Sequence, residues 1–139
     1  SQLDDLTRKL MRIGLDNIMG FVSSTDAYVQ AGGKLDTVKI VDTDTFKKVL
    51  EEPNVQVVDL RGATEFKSGH IKNADHVFVG TLLKNLDKVS KDKKVVIHCQ
   101  GGDRATIGYS LLAREGYNNV LNYSASMNEW VAQGNAVEH

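Results

Sequence analysis

KKVVIHCQGGDRATIGYSLL, residues 93–112, is the stretch on which the fold turns. It opens on Val95-Val96-Ile97, apolar at every position, which predicts a strand buried on both faces, as in a parallel sheet. It runs into DRATIGYSLLARE (103–115), a helical pattern that stops at Gly116, a C-cap glycine. Between strand and helix lie Cys99, Gln100, Gly101, Gly102, Asp103 and Arg104. A tight turn of this kind points successive backbone N–H groups inward, and Gly101 and Gly102 permit positive φ and close approach. The result is a nest of donors at a helix N-terminus, suited to an anion. Cys99 sits at its floor. The nest and the helix dipole favour thiolate over thiol and are expected to lower its pKa from about 8.5. Taken alone, a Cys at a strand end reads as a small buried hydrophobe. The Gly-Gly turn, the arginine and the following helix together point to a nucleophile instead. Arg104 reads as a fixed cation near the loop rim.

Working outward, VKIV (38–41), VQVVDL (55–60) and NVLNY (119–123) are further buried-strand patterns, and HVFV (76–79) is a weaker one. Helical patterns lie between them. TDTFKKVLEE (43–52) has Asp42 or Thr43 as N-cap and stops before Pro53. TLLKNLDKVS (81–90) places Leu82, Leu83, Leu86 and Val89 on one face. MNEWVAQ (127–133) follows Ser126, which with Glu129 reads as a capping box. Strand–helix alternation implies an α/β fold, a parallel sheet flanked by helices with right-handed crossovers.

The totals bound the function. The chain has 139 residues, 41% hydrophobic and 25% charged, with a formal net charge of −1. Those values fit one domain with a real core and give no reason to expect nucleic acid or an anionic membrane as partner. No apolar run reaches the roughly 18–20 residues that span a bilayer. The first ten residues, SQLDDLTRKL, lack the apolar core of a secretory signal. A single cysteine excludes an internal disulfide and a Cys-rich zinc site, and it fits a reducing, cytoplasmic setting. No metal or cofactor site is expected in this chain.

An internal repeat changes the domain picture. Residues 8–32 align without gaps on residues 110–134, and seven of the 25 pairs are identical, among them Arg12/Arg114, Gly14/Gly116, Ser24/Ser126 and Gly32/Gly134. Helix, Gly cap, short strand, Ser cap and second helix recur in order. Residues 1–35 therefore read as the last helix–strand–helix of a preceding copy of the domain at 36–139, and the chain as the C-terminal piece of a longer tandem protein. Leu3, Leu6, Leu10 and Ile13 form an apolar stripe on the first helix.

At the loop, Cys99–Arg104 resembles the C-x-x-G-x-R active-site loop of the rhodanese superfamily. Upstream, DLRGATEFKSGHIKNA (59–74) is similar to that family's D-x-R-x-x-x-E-[FY]-x-x-G-H-I-x-x-A motif, matching at Asp59, Arg61, Glu65, Phe66, Gly69, His70, Ile71 and Ala74. The resemblance covers residues 36–139. It implies a five-stranded parallel sheet between helices and a persulfide intermediate on Cys99, with Gln100–Arg104 as the substrate-binding loop. The implied donor is a small sulfane-sulfur compound, thiosulfate or a low-molecular-weight persulfide, and the acceptor a thiol. Lys72-Asn73 depart from the family's usual Pro-Gly, and Asp103 adds a carboxylate that is expected to face solvent or pair with a cation. Tandem copies resemble the end of bacterial fusions with a metallo-β-lactamase-fold persulfide dioxygenase. That likeness implies such domains upstream and a role in sulfide detoxification.

Supporting roles follow from position. Asp59 ends a strand and Arg61 lies two residues on, so they read as a charge pair at the carboxyl edge of the sheet, where open α/β folds bind ligands. His70 reads as a turn-stabilising residue. His98 precedes Cys99 on a strand, so its side chain points to the opposite face. Trp130 reads as core. Two other functions compete with sulfur transfer. A phosphatase of the same fold uses C-x5-R, whereas four residues separate Cys99 from Arg104 here, which makes a smaller cradle. A non-catalytic interaction or regulatory module is the other, and the intact Cys99 argues against it.

Overall fold

Four Val- and Ile-rich runs and one short strand form one parallel sheet: β1 (Ile40–Val41), β2 (Val55–Asp59), β3 (Asp75–His76), β4 (Lys94–His98) and β5 (Val120–Tyr123). Of HVFV (76–79) only His76 is strand, and Val79 opens a 3-10 helix. Its order is β1-β5-β4-β2-β3, and every pairing is parallel. The computed structural model describes residues 2–12 and 14–139. The chain divides into a unit ending at Asp36 and a unit spanning Thr37–His139, and the sheet belongs to the second.

β4 lies between β2 and β5, with helices on both faces, so its side chains are buried on both. The strand period of two sorts them. Val95 and Ile97 join Val58, Leu60, Leu82, Leu112 and Val120 in one core layer. Val96 joins Phe46, Val57, Ile71, Tyr123, Met127 and Trp130 in the other. Phe46 stacks on Tyr123 at 4.4 Å and meets Trp130 edge-on at 5.6 Å. The second unit also carries α3 (Thr43–Leu50), α4 (Ala63–Lys67), α5 (Asp103–Arg114) and α6 (Ser126–Ala132). Asp42 caps α3 by accepting the Thr45 N–H at 2.7 Å. Gly116, at φ 81°, closes α5. Gly108 lets α5 lie close on the sheet, because a Cβ there would collide with Leu60.

Several expectations need correction. Residues 81–90 do not form one α-helix. They fold as two 3-10 segments, Val79–Lys84 and Leu86–Lys88. The Asn85 side-chain amide donates to the Thr81 carbonyl at 2.8 Å, the acceptor that its backbone N–H would use in an α-helix. The Asn85 N–H turns to Leu82 O at 3.0 Å instead. Leu82 and Val89 are buried, but Leu83 is 43% exposed, so the four do not share a face. The Ser126–Glu129 capping box is also absent. Ser126 lies inside α6, and Glu129 accepts from Thr43 Oγ1 at 2.7 Å.

The first unit contains α1 (Gln2–Arg12) and α2 (Asp26–Gln30). α1 spans Gln2–Arg12 and α5 spans Asp103–Arg114. The paired glycines share their backbone state: φ is 83° at Gly14 and 81° at Gly116, 88° at Gly32 and 72° at Gly134. The strand expected between the two helices does not form; residues 15–22 are irregular. A lone segment has no ladder partner within this unit, and isolated strands are not stable. Leu3 and Leu6 of the apolar stripe are exposed, Leu10 is half-buried, and Ile13 lies outside the described residues.

Candidate active site

Cys99 immediately follows β4. Strand parity sends its side chain with Val95 and Ile97 toward the layer that includes Ala105 of α5, and sends His98 to the other face. Gly102 then turns the chain at φ 104°, where a Cβ would also meet Ser124 O at 2.6 Å. Only glycine satisfies both conditions. The turn aims the Gly102 N–H at the Cys99 sulfur, at 3.1 Å.

The loop is tied along its length to the start of α6. The Cys99 N–H donates to Ser126 Oγ at 3.1 Å. The Met127 and Asn128 N–H groups donate to Cys99 O and Gln100 O at 3.1 and 3.0 Å. The Gln100 amide donates to Asn128 Oδ1 at 2.7 Å.

Cys99 is buried, and burial alone would make an inert thiol with a raised pKa. That effect is outweighed by the backbone N–H groups of Ala105, Gly102 and Gly101, aided by the Ser126 hydroxyl. The net pKa falls below that of an ordinary thiol. The sequence-derived nest is therefore present, and its donors act on sulfur.

Arg104 stands at the first turn of α5 in a two-pronged pair with Glu65, at 2.6 and 2.8 Å. Glu65 is placed by α4, where its Oε2 also accepts the Gly62 N–H at 3.0 Å. The Arg104 bonds, with that N–H, hold the Glu65 carboxyl down to about 2 despite partial burial. Arg104 is held in its charged form by Glu65, and a Cys99 thiolate adds to the effect.

Asp59 and Arg61 form a second pair, at 2.7–3.0 Å, almost sealed from solvent. Arg61 also donates to Gly69 O at 2.7 Å and to Gln100 Oε1 at 3.2 Å, so this pair reaches the Cys99 loop through Gln100. His98 is the register partner of Asp59 across β2 and β4. Its Nε2 lies 3.8 Å from Asp59 Oδ2 without a hydrogen bond, and burial depresses its pKa.

His70 braces its own turn. Its Nδ1 is bonded to Phe66 O at 3.1 Å, its ring stacks on Phe66 at 3.9 Å, and its backbone pairs with Glu138. Asp103 is exposed, and Asn73 takes φ 59° in the turn after His70, a state Asn tolerates. A cavity of about 290 Å³ opens beside the loop, lined by Arg61, Ser68, Gly69, Gln100, Met127, Val131 and Val137.

The structure thus gathers Cys99, Gln100, Gly101, Gly102 and Arg104 at one loop, with Asp59 and Arg61 linked to it. Sequence reasoning missed Ser126 and Asn128 as loop partners, and Glu65 as the partner of Arg104. The recurrence of Ser24 at Ser126 was the one available signal for the first.

Comparison with known proteins identifies the family and the fold. The chain is 22% identical over 94 residues to the putative sulfur carrier protein YrkF of Bacillus subtilis, covering 67% of this chain and 51% of that protein. It is 24% identical over 137 residues to tRNA uridine(34) hydroxylase of Escherichia coli, covering 94% of this chain and 33% of that protein. The chain thus spans about half or less of these relatives. Among solved structures, a rhodanese-like domain protein from Staphylococcus aureus superposes with a TM-score of 0.65 at 32% identity, over 73% of this chain and 97% of that one. The human single-domain sulfurtransferase TSTD1 shares the fold, with a TM-score of 0.61 at 22% identity, over 70% of this chain and 98% of that one. The rhodanese-like domain profile matches residues 42–133, from the cap of α3 to the end of α6, and the chain belongs to that family.

Proposed function

We propose that this domain is a sulfurtransferase that carries sulfane sulfur on Cys99. The observation that carries the proposal is the buried Cys99 sulfur facing the Gly102 N–H at 3.1 Å, in a loop whose donors outweigh burial and favour the thiolate. The Cys99 thiolate attacks the outer sulfur of a donor, thiosulfate or a small persulfide. The donor S–S bond breaks, and sulfite or a thiolate leaves with the bonding pair. Cys99–S–S⁻ remains. An acceptor thiolate then attacks the outer sulfur, and the Cys99 thiolate leaves to restore the enzyme. The sulfur moves at constant oxidation state, so this chemistry needs no cofactor in the chain. It is covalent catalysis in two half-reactions, with loop N–H groups stabilising sulfur anions as an oxyanion hole stabilises oxygen. Gln100–Arg104 form the binding loop, and Asp59 and Arg61 support it through Gln100. A reducing, cytoplasmic setting suits the lone thiol. Among the described residues, no helix is long and apolar enough to cross a membrane.

The test is intact mass after incubation with thiosulfate or glutathione persulfide. Wild type is expected to gain about one sulfur that cyanide or a thiol removes, and Cys99→Ser none. No gain with either donor would sink the transfer reading and favour the interaction module.

The matched glycine φ values support a second proposal, that residues 1–35 close a preceding rhodanese-like copy. The parent would then be a tandem protein, fused to a metallo-β-lactamase-fold dioxygenase and serving sulfide detoxification. Reading the coding sequence upstream of Ser1 tests both points. The tandem fails without a further rhodanese-like segment, and the fusion fails without a His-rich metal motif.

A further inference from the structure

Among the described residues, three non-glycine residues have positive φ: Asn54, Asn73 and Ser126. Asparagine visits this region readily, but serine does so at a steric cost. Ser126 holds φ 59° while fully buried, beside the loop that carries Cys99. A strained residue persists where its surroundings over-determine it. Glycine would take the same backbone without strain, so what distinguishes serine here is its hydroxyl.

That hydroxyl has three neighbours. It accepts the Cys99 N–H at 3.1 Å, which satisfies a buried donor. It has one hydrogen and two acceptors for it, Tyr123 O at 2.9 Å and the Cys99 sulfur at 3.9 Å. We propose that Ser126 is a positioning residue of the Cys99 site, which anchors the Cys99 backbone and delivers its hydrogen to sulfur when the thiolate forms. With a neutral thiol the carbonyl is the better acceptor. With the persulfide the charge has moved to the outer sulfur, and the carbonyl is again preferred. With the thiolate, Sγ carries the charge and draws the hydrogen. The thiolate begins and ends the transfer cycle, so Ser126 favours the state from which each half-reaction starts or into which it returns.

The backbone N–H groups of Ala105, Gly102 and Gly101 also act on the sulfur and Arg104 also favours the thiolate, but the loop holds those N–H groups in place, whereas the Ser126 hydrogen can turn between two acceptors. Arg104 of α5 is engaged by Glu65, and Asp103 is exposed at the start of that helix. His98, Asp59 and Arg61 cluster on the opposite face of the sheet, and Glu129 of α6 is bonded to Thr43.

This inference rests on Cys99 as the reactive thiol but is tested on the thiol alone, without a sulfur donor. The experiment is the pH–rate profile of Cys99 alkylation by iodoacetamide on the full chain, for wild type, Ser126→Ala and Ser126→Gly. Ala removes the hydroxyl and keeps the strained Cβ; Gly removes both. Both variants are expected to raise the apparent thiol pKa by about half to one unit. Alkylation at pH 6.5 then slows about three- to tenfold. Ser126→Gly is expected to melt no lower than Ser126→Ala. A wild-type profile in Ser126→Gly would overturn the proposal, whatever Ser126→Ala does, because the strain-free backbone would then suffice. If Ser126→Ala does not fold, Ser126→Gly alone decides. A shifted profile in a protein that takes up no sulfur would leave Ser126 in this role and refute the transfer reading separately.

Discussion

The two arginine–carboxylate pairs near Cys99 are built on opposite plans. Asp59–Arg61 is sealed, with side-chain exposures of 0% and 4%, and Arg61 donates to Asp59, Gly69 O and Gln100 Oε1 at the sheet edge and loop. Glu65–Arg104 is 38% and 31% exposed and carries its charge at the rim of the loop. A sealed pair costs desolvation and returns geometry; a half-exposed pair costs little and returns a field that solvent can screen. The site therefore uses one arginine to hold shape and the other to hold charge near sulfur.

The largest effect is expected at the sealed pair. Asp59→Ala leaves Arg61 buried and uncompensated, and denaturant unfolding is expected to show a loss of about 3–5 kcal/mol. The double variant Asp59→Leu/Arg61→Met is expected to recover most of that loss, since no buried charge remains. A single-variant loss below about 1 kcal/mol would break the contrast between the pairs.

Next in size is the pH response of His98, which abuts the same pair. Its folded pKa is depressed by burial, so the unfolded chain takes up the proton first. The stability this histidine confers is full above its unfolded value of about 6.5 and declines below it, by about 1.4 kcal/mol per pH unit. Unfolding measured from pH 7 to pH 5 is expected to show the decline in wild type and a flatter curve in His98→Gln. Parallel curves would remove His98 from the account.

The smallest effect belongs to the rim. Glu65→Gln keeps an acceptor for Gly62 and is expected to change stability at pH 7 by about 1 kcal/mol or less. The Glu65 carboxyl is depressed to about 2, so its contribution is present above its unfolded value of about 4.5. It fades as pH falls toward about 2. Wild type and variant are expected to converge over that interval. A large penalty at pH 7 would mean the rim pair is structural after all.

Much of this was legible beforehand because strand period and turn chemistry are local. The Val-rich runs at 55–60, 94–98 and 119–123 announced buried parallel strands, while VKIV became the edge strand β1, with Ile40 exposed because no strand lies beyond it. Cys99 and His98, as neighbours on one strand, had to face opposite ways. Gly101-Gly102 announced the turn. Other features depended on distant partners. Ser126 and Glu129 have the spacing of a cap, yet Cys99 claims the serine and Thr43 the glutamate. Leu82, Leu83, Leu86 and Val89 have helical spacing, yet the Asn85 side-chain amide takes the Thr81 carbonyl that spacing assigns to a backbone N–H. The strand near residues 18–21 matches β5 in pattern, but no neighbouring strand in its unit pairs with it.

By itself, then, the sequence determined the parallel α/β architecture, the place of Cys99 at the end of a buried strand and the donor-rich turn beyond it, because periodicity and glycine permissiveness act within a few residues. The tertiary structure alone decided which carboxylate each arginine meets, where His98 rests and why Ser126 is held at positive φ. Those outcomes depend on packing between elements far apart in the chain, where burial makes each polar group find a partner.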